Sequence, residues 1–155
     1  MRLSEQPYVG ETLMTFLEWF YALEKPSWTP TPLIIRTVWM ILYPLIFLSF
    51  GYVFLLYLRG KLPARVALPF ALNLIANLLF MPIQSGLRDL WLASLDILFV
   101  WVTLLWAILA VWPHRRWLAM LQIPYFLWVS LATVVQLSIT WLNPRYGPSP
   151  PAPGV

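Results

Sequence analysis

Four tryptophans, Trp39, Trp101, Trp106 and Trp128, sit inside long apolar stretches, where anchoring at the headgroup level explains least. An indole offers a flat apolar face and one N–H donor. An inward-turned pair could stack on a flat apolar ligand; packing between helices is the ordinary alternative. Polar side chains recur in the same stretches. Asn73, Asn77 and Gln84 follow one another at steps of four and seven residues, which puts them on one helix face. Asp96 is the one acid inside any apolar run. A carboxylate exposed to lipid there is costly, so it is expected to turn into the helix assembly, paired or protonated. Gln136 is a candidate for the same set. Two readings stay open for these groups: structural hydrogen bonds between helices, or the polar wall of a ligand cavity. Trp128, Ala132 and Gln136 form one stripe at four-residue steps, and Trp39, Tyr43 and Phe47 another. Aromatic stripes beside a polar one describe a mostly apolar pocket with few orienting groups, the usual make-up of a small-molecule site.

Other chemistries are excluded. The chain has no cysteine and one histidine, His114, so thiolate nucleophiles, disulfides and multi-histidine metal centres are ruled out. Catalytic triads, phosphate loops and metal-ligand spacings are absent, and neither a metal nor a cofactor is expected. The net charge of +4 is small and scattered, which fits loops near lipid headgroups and not nucleic acid.

The elements that position these residues follow from composition. Of 155 residues, 61% are hydrophobic and only 10% charged, against about 25% charged in a soluble domain. So few charges cannot cover a water-facing surface, and lipid must be the solvent for much of the chain. Four apolar runs are bounded by charge, proline or glycine: Leu33–Leu58, Val66–Ile83, Leu90–Trp112 and Trp117–Leu142. About 20 residues of helix cross a hydrocarbon core; three runs exceed that length and the second is marginal. Continuous runs without two-residue alternation argue against a barrel. Pro44, Pro69, Pro82 and Pro124 lie in or near the runs, which membrane helices tolerate. Short connections favour antiparallel neighbours.

Ahead of the runs, Thr12–Leu23 carries Leu13, Phe16, Leu17, Phe20 and Tyr21 against Glu11, Glu18 and Glu24, a pattern for a short helix lying in the interface. The same glutamates argue against a cleavable signal peptide. Residues 1–30 are read as this interfacial segment plus a covering loop, 31–143 as the transmembrane domain, and the proline-rich 144–155 as a mobile tail. Trp19, Trp28, Trp91, Trp112, Trp117 and Trp141, near run ends, are read as an interfacial aromatic belt. The loops at Arg59–Arg65 and Arg115–Arg116 hold five basic residues and no acid, which favours cytoplasmic basic loops with both termini outside. Ala67 and Ala71 form a small-xxx-small pair, the pattern of a close-packing face that could serve a homodimer.

At this point the residues resemble a known family. The segment KPSWTPTP (Lys25–Pro32) and VWxxLY (Val38–Tyr43) look like the signature of the TspO/MBR family of tryptophan-rich sensory proteins and mitochondrial translocator proteins. The match continues through NLIANLLFMPIQSG (Asn73–Gly86), LDILF with Asp96, and PYFLWVSLAT (Pro124–Thr133), over roughly residues 19–143. The resemblance implies an all-α transmembrane bundle. The family has five crossings, and the four runs here suggest that bundle without its first helix. It implies a membrane receptor or carrier, with porphyrin or a sterol-like molecule as the partner, held in a cavity closed by the loop before the second family helix. A bacterial inner membrane is the expected location. By motif, Trp39 and Trp128 match two tryptophans tied in some members to light-dependent porphyrin degradation, the enzymatic alternative. Tyr43, Asn77, Asp96, Tyr125 and Ala132 match positions of the cavity or its support, and Trp28 and Pro30 fall in the covering loop. A structural protein with a degenerate pocket is the third reading. The sequence departs from the pattern at Arg36 and Thr37 ahead of VW, at Phe80, Gln84 and Ser85, and at Gln136 in place of an asparagine.

Overall fold

The computed structural model describes residues 16–144, all of its regular elements helical. Six α-helices follow in order: α1 (Phe16–Ala22), α2 (Pro32–Leu58), α3 (Ala64–Met81), α4 (Leu90–Val111), α5 (Arg116–Leu121) and α6 (Ile123–Leu142). A π-helical turn, Pro82–Leu87, prolongs α3. Four helical stretches are long and apolar enough to cross a membrane: Pro32–Leu58, Ala64–Leu87, Leu90–Val111 and Arg116–Leu142. These are the four runs expected from sequence. The marginal second run reaches spanning length because helical winding continues through Pro82 and Gly86 instead of stopping at Ile83. Pro44 and Pro69 lie inside α2 and α3 without ending them.

Local chemistry sets the boundaries. Thr31 caps α2, its hydroxyl accepting from the Ile34 N–H at 3.4 Å, and Pro32 starts the first turn where no donor is needed. The far end of α2 closes with a glycine motif. Gly60 has φ +67°, its N–H reaches the Tyr57 carbonyl at 2.9 Å, and the Lys61 N–H reaches Leu56 at 2.8 Å. A residue with a side chain would be strained in that left-handed position. Asp89 caps α4 through Leu92 N–H at 3.0 Å.

Helix α4 is the hub, packed closely along α3 on one side and α6 on the other. Small or short side chains, Ala93, Ser94, Ala107 and Ala76, let these helices approach. Ala67 is buried in the same core, so it serves packing within the chain. Helix α2 touches α3, α5 and α6 far more sparsely. The core there is aromatic: Phe50 meets Phe70 edge-on at 4.9 Å and Tyr125 at 6.4 Å. Elsewhere large apolar side chains such as Phe47, Leu48 and Leu95 face outward, as lipid-facing residues do.

Helix α1 differs in detail from the expected interfacial stripe. Residues 12–15 lie outside the described residues. Of the rest, Tyr21 is exposed while Trp19 and Leu23 are buried against Leu90 and Ile139. Trp19 is therefore a packing residue, in contrast to its expected place in the belt; steps of four bring it and Leu23 onto the bundle. Trp28, Trp91, Trp112, Trp117 and Trp141 are exposed. Lys25 ends α1, donating to the carbonyls of Phe20 and Leu23 and lying 4.8 Å from the Phe20 ring centroid. Partial burial holds its pKa below the ordinary lysine value.

Candidate functional site

Sparse packing of α2 leaves a hollow between it and the α3–α4–α6 layer. A cavity of about 510 Å³ opens there, in the half of the bundle remote from the basic loops. Its wall takes residues from the covering loop and from α1, α2, α3 with its π turn, α4 and α6. The wall is almost wholly apolar, and its polar members are Thr29, Arg36, Tyr43, Asn77, Gln84 and Gln136, with the Trp indoles.

Trp39 of α2 and Trp128 of α6 both line this cavity, as do Pro30, Tyr43, Asn77 and Ala132. Trp39 is fixed from two sides: it stacks on Tyr43 at 5.0 Å and 27°, and meets Tyr125 edge-on at 6.3 Å. The indole N–H of Trp128 is buried and has no hydrogen-bond partner among the described residues. A buried donor left unmade costs free energy, and one on a cavity wall can be met by an acceptor on a ligand.

Tyr125 does not line the cavity but stands behind its wall, fully buried. Its hydroxyl accepts from Asn77 Nδ2 at 2.9 Å and donates to Asn73 Oδ1 at 3.1 Å. Asn73 Nδ2 then donates to the Val100 carbonyl at 2.8 Å and Thr103 Oγ1 at 3.1 Å. This chain ties α3, α4 and α6 together and aims the Asn77 amide. For Asn73 the structural reading of the polar stripe describes what is present; Asn77 does both, bracing Tyr125 and lining the cavity.

Gln84 and Gln136, both departures from the family pattern, meet each other. Gln84 Nε2 donates to Gln136 Oε1 at 3.1 Å, and Gln136 Nε2 points to Thr140 Oγ1 at 3.3 Å. Thr140 also donates to the Leu90 carbonyl at 3.1 Å and lies 2.7 Å from Ser94 Oγ. The π turn places Gln84 inward, whereas Ser85 bonds back to Met81.

Besides Tyr125, two candidates lie away from the cavity wall. Trp28 is about half exposed, in the covering loop but turned outward. Asp96 is half-buried on α4, and its Oδ2 is buried with no hydrogen-bond partner among the described residues. Of the two states expected for it, paired or protonated, the Asn73 and Asn77 amides do not supply the pairing, since they are turned to α4 backbone, Thr103 and Tyr125. Among the described residues no three His, Asp or Glu side chains cluster to hold a metal ion.

Sequence reasoning missed Phe20, Thr29 and Arg36 on the wall and included Phe47, which points outward. The signal was available. Four residues of helix advance about 400°, so a strict four-step stripe drifts about 40° per step. Arg36 lies about 60° from Trp39 around α2, beside Tyr43 at about 40°, whereas Phe47 is about 80° round and also about two turns further along the helix toward the basic loops, past the cavity. The covering loop is held by Asn143, whose side chain bonds the Glu24 backbone.

Comparison with known proteins finds similarity over most of the chain. The sequence profile of the TspO/MBR family matches residues 7–142, starting upstream of the span of roughly 19–143 over which the resemblance runs. The Tryptophan-rich protein TspO of Bacillus cereus is 38% identical over 125 residues, 81% of this chain and 80% of the relative. The Uncharacterized membrane protein YtaB of Bacillus subtilis is 33% identical over 127 residues, 81% of each. Protein CrtK of Rhodobacter capsulatus is 28% identical over 130 residues, covering 84% of this chain and 81% of the relative.

Proposed function

This chain belongs to the TspO/MBR family of multi-pass integral membrane proteins, and from that premise we propose that it is a receptor or carrier for flat, largely apolar ligands of the tetrapyrrole class. One observation carries the reading: Trp39 and Trp128, from helices far apart in sequence, line the same 510 Å³ cavity. That volume lies within the range of about 300–1,000 Å³ usual for small-molecule sites. Two indoles on an apolar wall supply stacking surface, while Asn77, Gln84 and Gln136 offer a few orienting groups. Metal-free porphyrin is the ligand of choice, because no histidine stands on the wall to coordinate iron.

The same premises favour a bacterial inner membrane. Cytoplasmic basic loops would place the cavity and its covering loop toward the opposite face. Titrating purified protein with protoporphyrin while following tryptophan fluorescence tests the binding reading. Saturable quenching with one site per chain is the expected result. Quenching that rises linearly, as for collision or partition into micelles, would refute it.

A further inference from the structure

We propose that the ligand carries an anionic oxygen group, a carboxylate, and that Arg36 receives it together with the hydroxyl of Thr29. This rests on the binding function above and narrows its ligand class to flat amphiphiles with one acidic edge.

Arg36 is the only charged residue among the described residues that line the cavity. It is exposed, so it stands at the open rim, and no hydrogen bond or ion pair engages its side chain among the described residues. Around it the α2 sequence is apolar or neutral, Leu33, Ile34, Ile35, Thr37 and Val38, and nothing in the packing requires a cation there. Thr29 Oγ1 supplies the second, independent observation. It lies on the same wall, is buried, and has no hydrogen-bond partner among the described residues. Buried polar atoms in folded proteins are nearly always satisfied, so this hydroxyl calls for a group from the cavity side.

The two residues complement an acid. A guanidinium offers a planar fork of donors that matches a carboxylate in bidentate fashion. Thr29 lies two residues ahead of Thr31, the N-cap of α2, and Arg36 in the second turn of that 27-residue helix, so both stand near its positive dipole end, which favours negative charge. Among the described residues the lining contains no Asp or Glu to repel it. A ligand whose flat body lies between Trp39 and Trp128 would leave its acidic edge toward the rim, where Arg36 stands three residues before Trp39.

A lipid phosphate offers the same oxygen chemistry, and the experiment separates the two sources. Protein in phosphatidylcholine nanodiscs is titrated by tryptophan quenching with protoporphyrin, which bears two carboxylates, and with its uncharged dimethyl ester. The affinity ratio of acid to ester is compared between wild type and Arg36→Gln, so differences in membrane partition cancel. Arg36→Gln should lower that ratio by roughly tenfold, the worth of one charge-assisted hydrogen bond. Arg36→Lys should keep most of it, and Thr29→Val should lower it by roughly threefold. An unchanged ratio in Arg36→Gln, with both compounds still bound, overturns this inference and leaves the binding function standing. No saturable quenching by either compound in wild type overturns both. With phosphatidylglycerol added, the contrast between wild type and Arg36→Gln should persist; if the added lipid abolishes it, the headgroup holds Arg36 and the inference fails.

Discussion

The side-chain amide of Asn143 closes a reciprocal pair of hydrogen bonds on the backbone of Glu24, with Glu24 N–H 2.9 Å from Oδ1 and Nδ2 2.8 Å from the Glu24 carbonyl oxygen. A third bond, Nδ2 to the Ile139 carbonyl at 2.7 Å, anchors the amide to α6. The segment that follows Glu24 carries Thr29 and Pro30 to the cavity wall. Asn143 thus latches the cover. Asn143→Ala removes both latch bonds and should speed porphyrin dissociation by roughly five- to tenfold, with less effect on association. Stopped-flow recovery of tryptophan fluorescence after ligand displacement reads this, and an unchanged dissociation rate would show the cover is held by other contacts.

Tyr125→Phe tests the brace behind the wall. Its hydroxyl joins Asn77 to Asn73, and removal leaves two amides short of a partner in the bundle interior. A loss of about 1–2 kcal/mol in unfolding free energy is expected, since interhelical hydrogen bonds in membranes are individually modest. Ligand affinity should fall as well, because Asn77 loses the partner that aims it. Equilibrium unfolding in mixed detergent micelles measures the first effect; full stability in the variant would mean the network contributes nothing.

Gln84 and Gln136 form a contact that a double-mutant cycle can isolate. Each single change to Leu removes the 3.1 Å amide pair; Gln136→Leu leaves Gln84 Nε2 without that acceptor, and Gln84→Leu leaves Gln136 with Thr140 alone of the two side chains it meets. The double change should be less destabilising than the sum of the two singles, with a coupling of about 0.5–1.5 kcal/mol. Strict additivity would show that the two side chains do not communicate.

Asp96→Asn is expected to change stability by less than about 1 kcal/mol. The replacement is isosteric, and no hydrogen bond to Asp96 Oδ2 is lost, because none is made among the described residues. Thermal unfolding followed by circular dichroism decides it. A large drop would reveal a partner for this carboxylate.

Much of the fold was legible because lipid imposes a coarse, strong signal. Runs of apolar residues bounded by charge or proline marked all four spanning stretches, and only the second moved by more than one residue, from Val66–Ile83 to Ala64–Leu87. The lining residues of α6 were legible for the same reason, since Trp128, Ala132 and Gln136 keep one face of a short helix stretch. Three features escaped. The Glu24–Asn143 latch joins a backbone to a side chain 119 residues away, and no local pattern announces such a pair. The pairing of Gln84 with Gln136 depends on the π turn, which shifts the helix face after Pro82. Trp19 resembled a belt tryptophan by its place in the chain, yet it is buried because α1 docks on the ends of α4 and α6.

The most direct measurement is the protoporphyrin affinity of Trp39→Leu and Trp128→Leu beside wild type, read by porphyrin absorbance so that the lost indoles do not bias the signal. Each replacement keeps an apolar side chain but removes a flat face worth roughly 1–2 kcal/mol against the ligand. Saturable wild-type binding that weakens by about tenfold in either variant, with folding retained, is the predicted result. Binding of unchanged midpoint in both variants would contradict a shared site between these two helices.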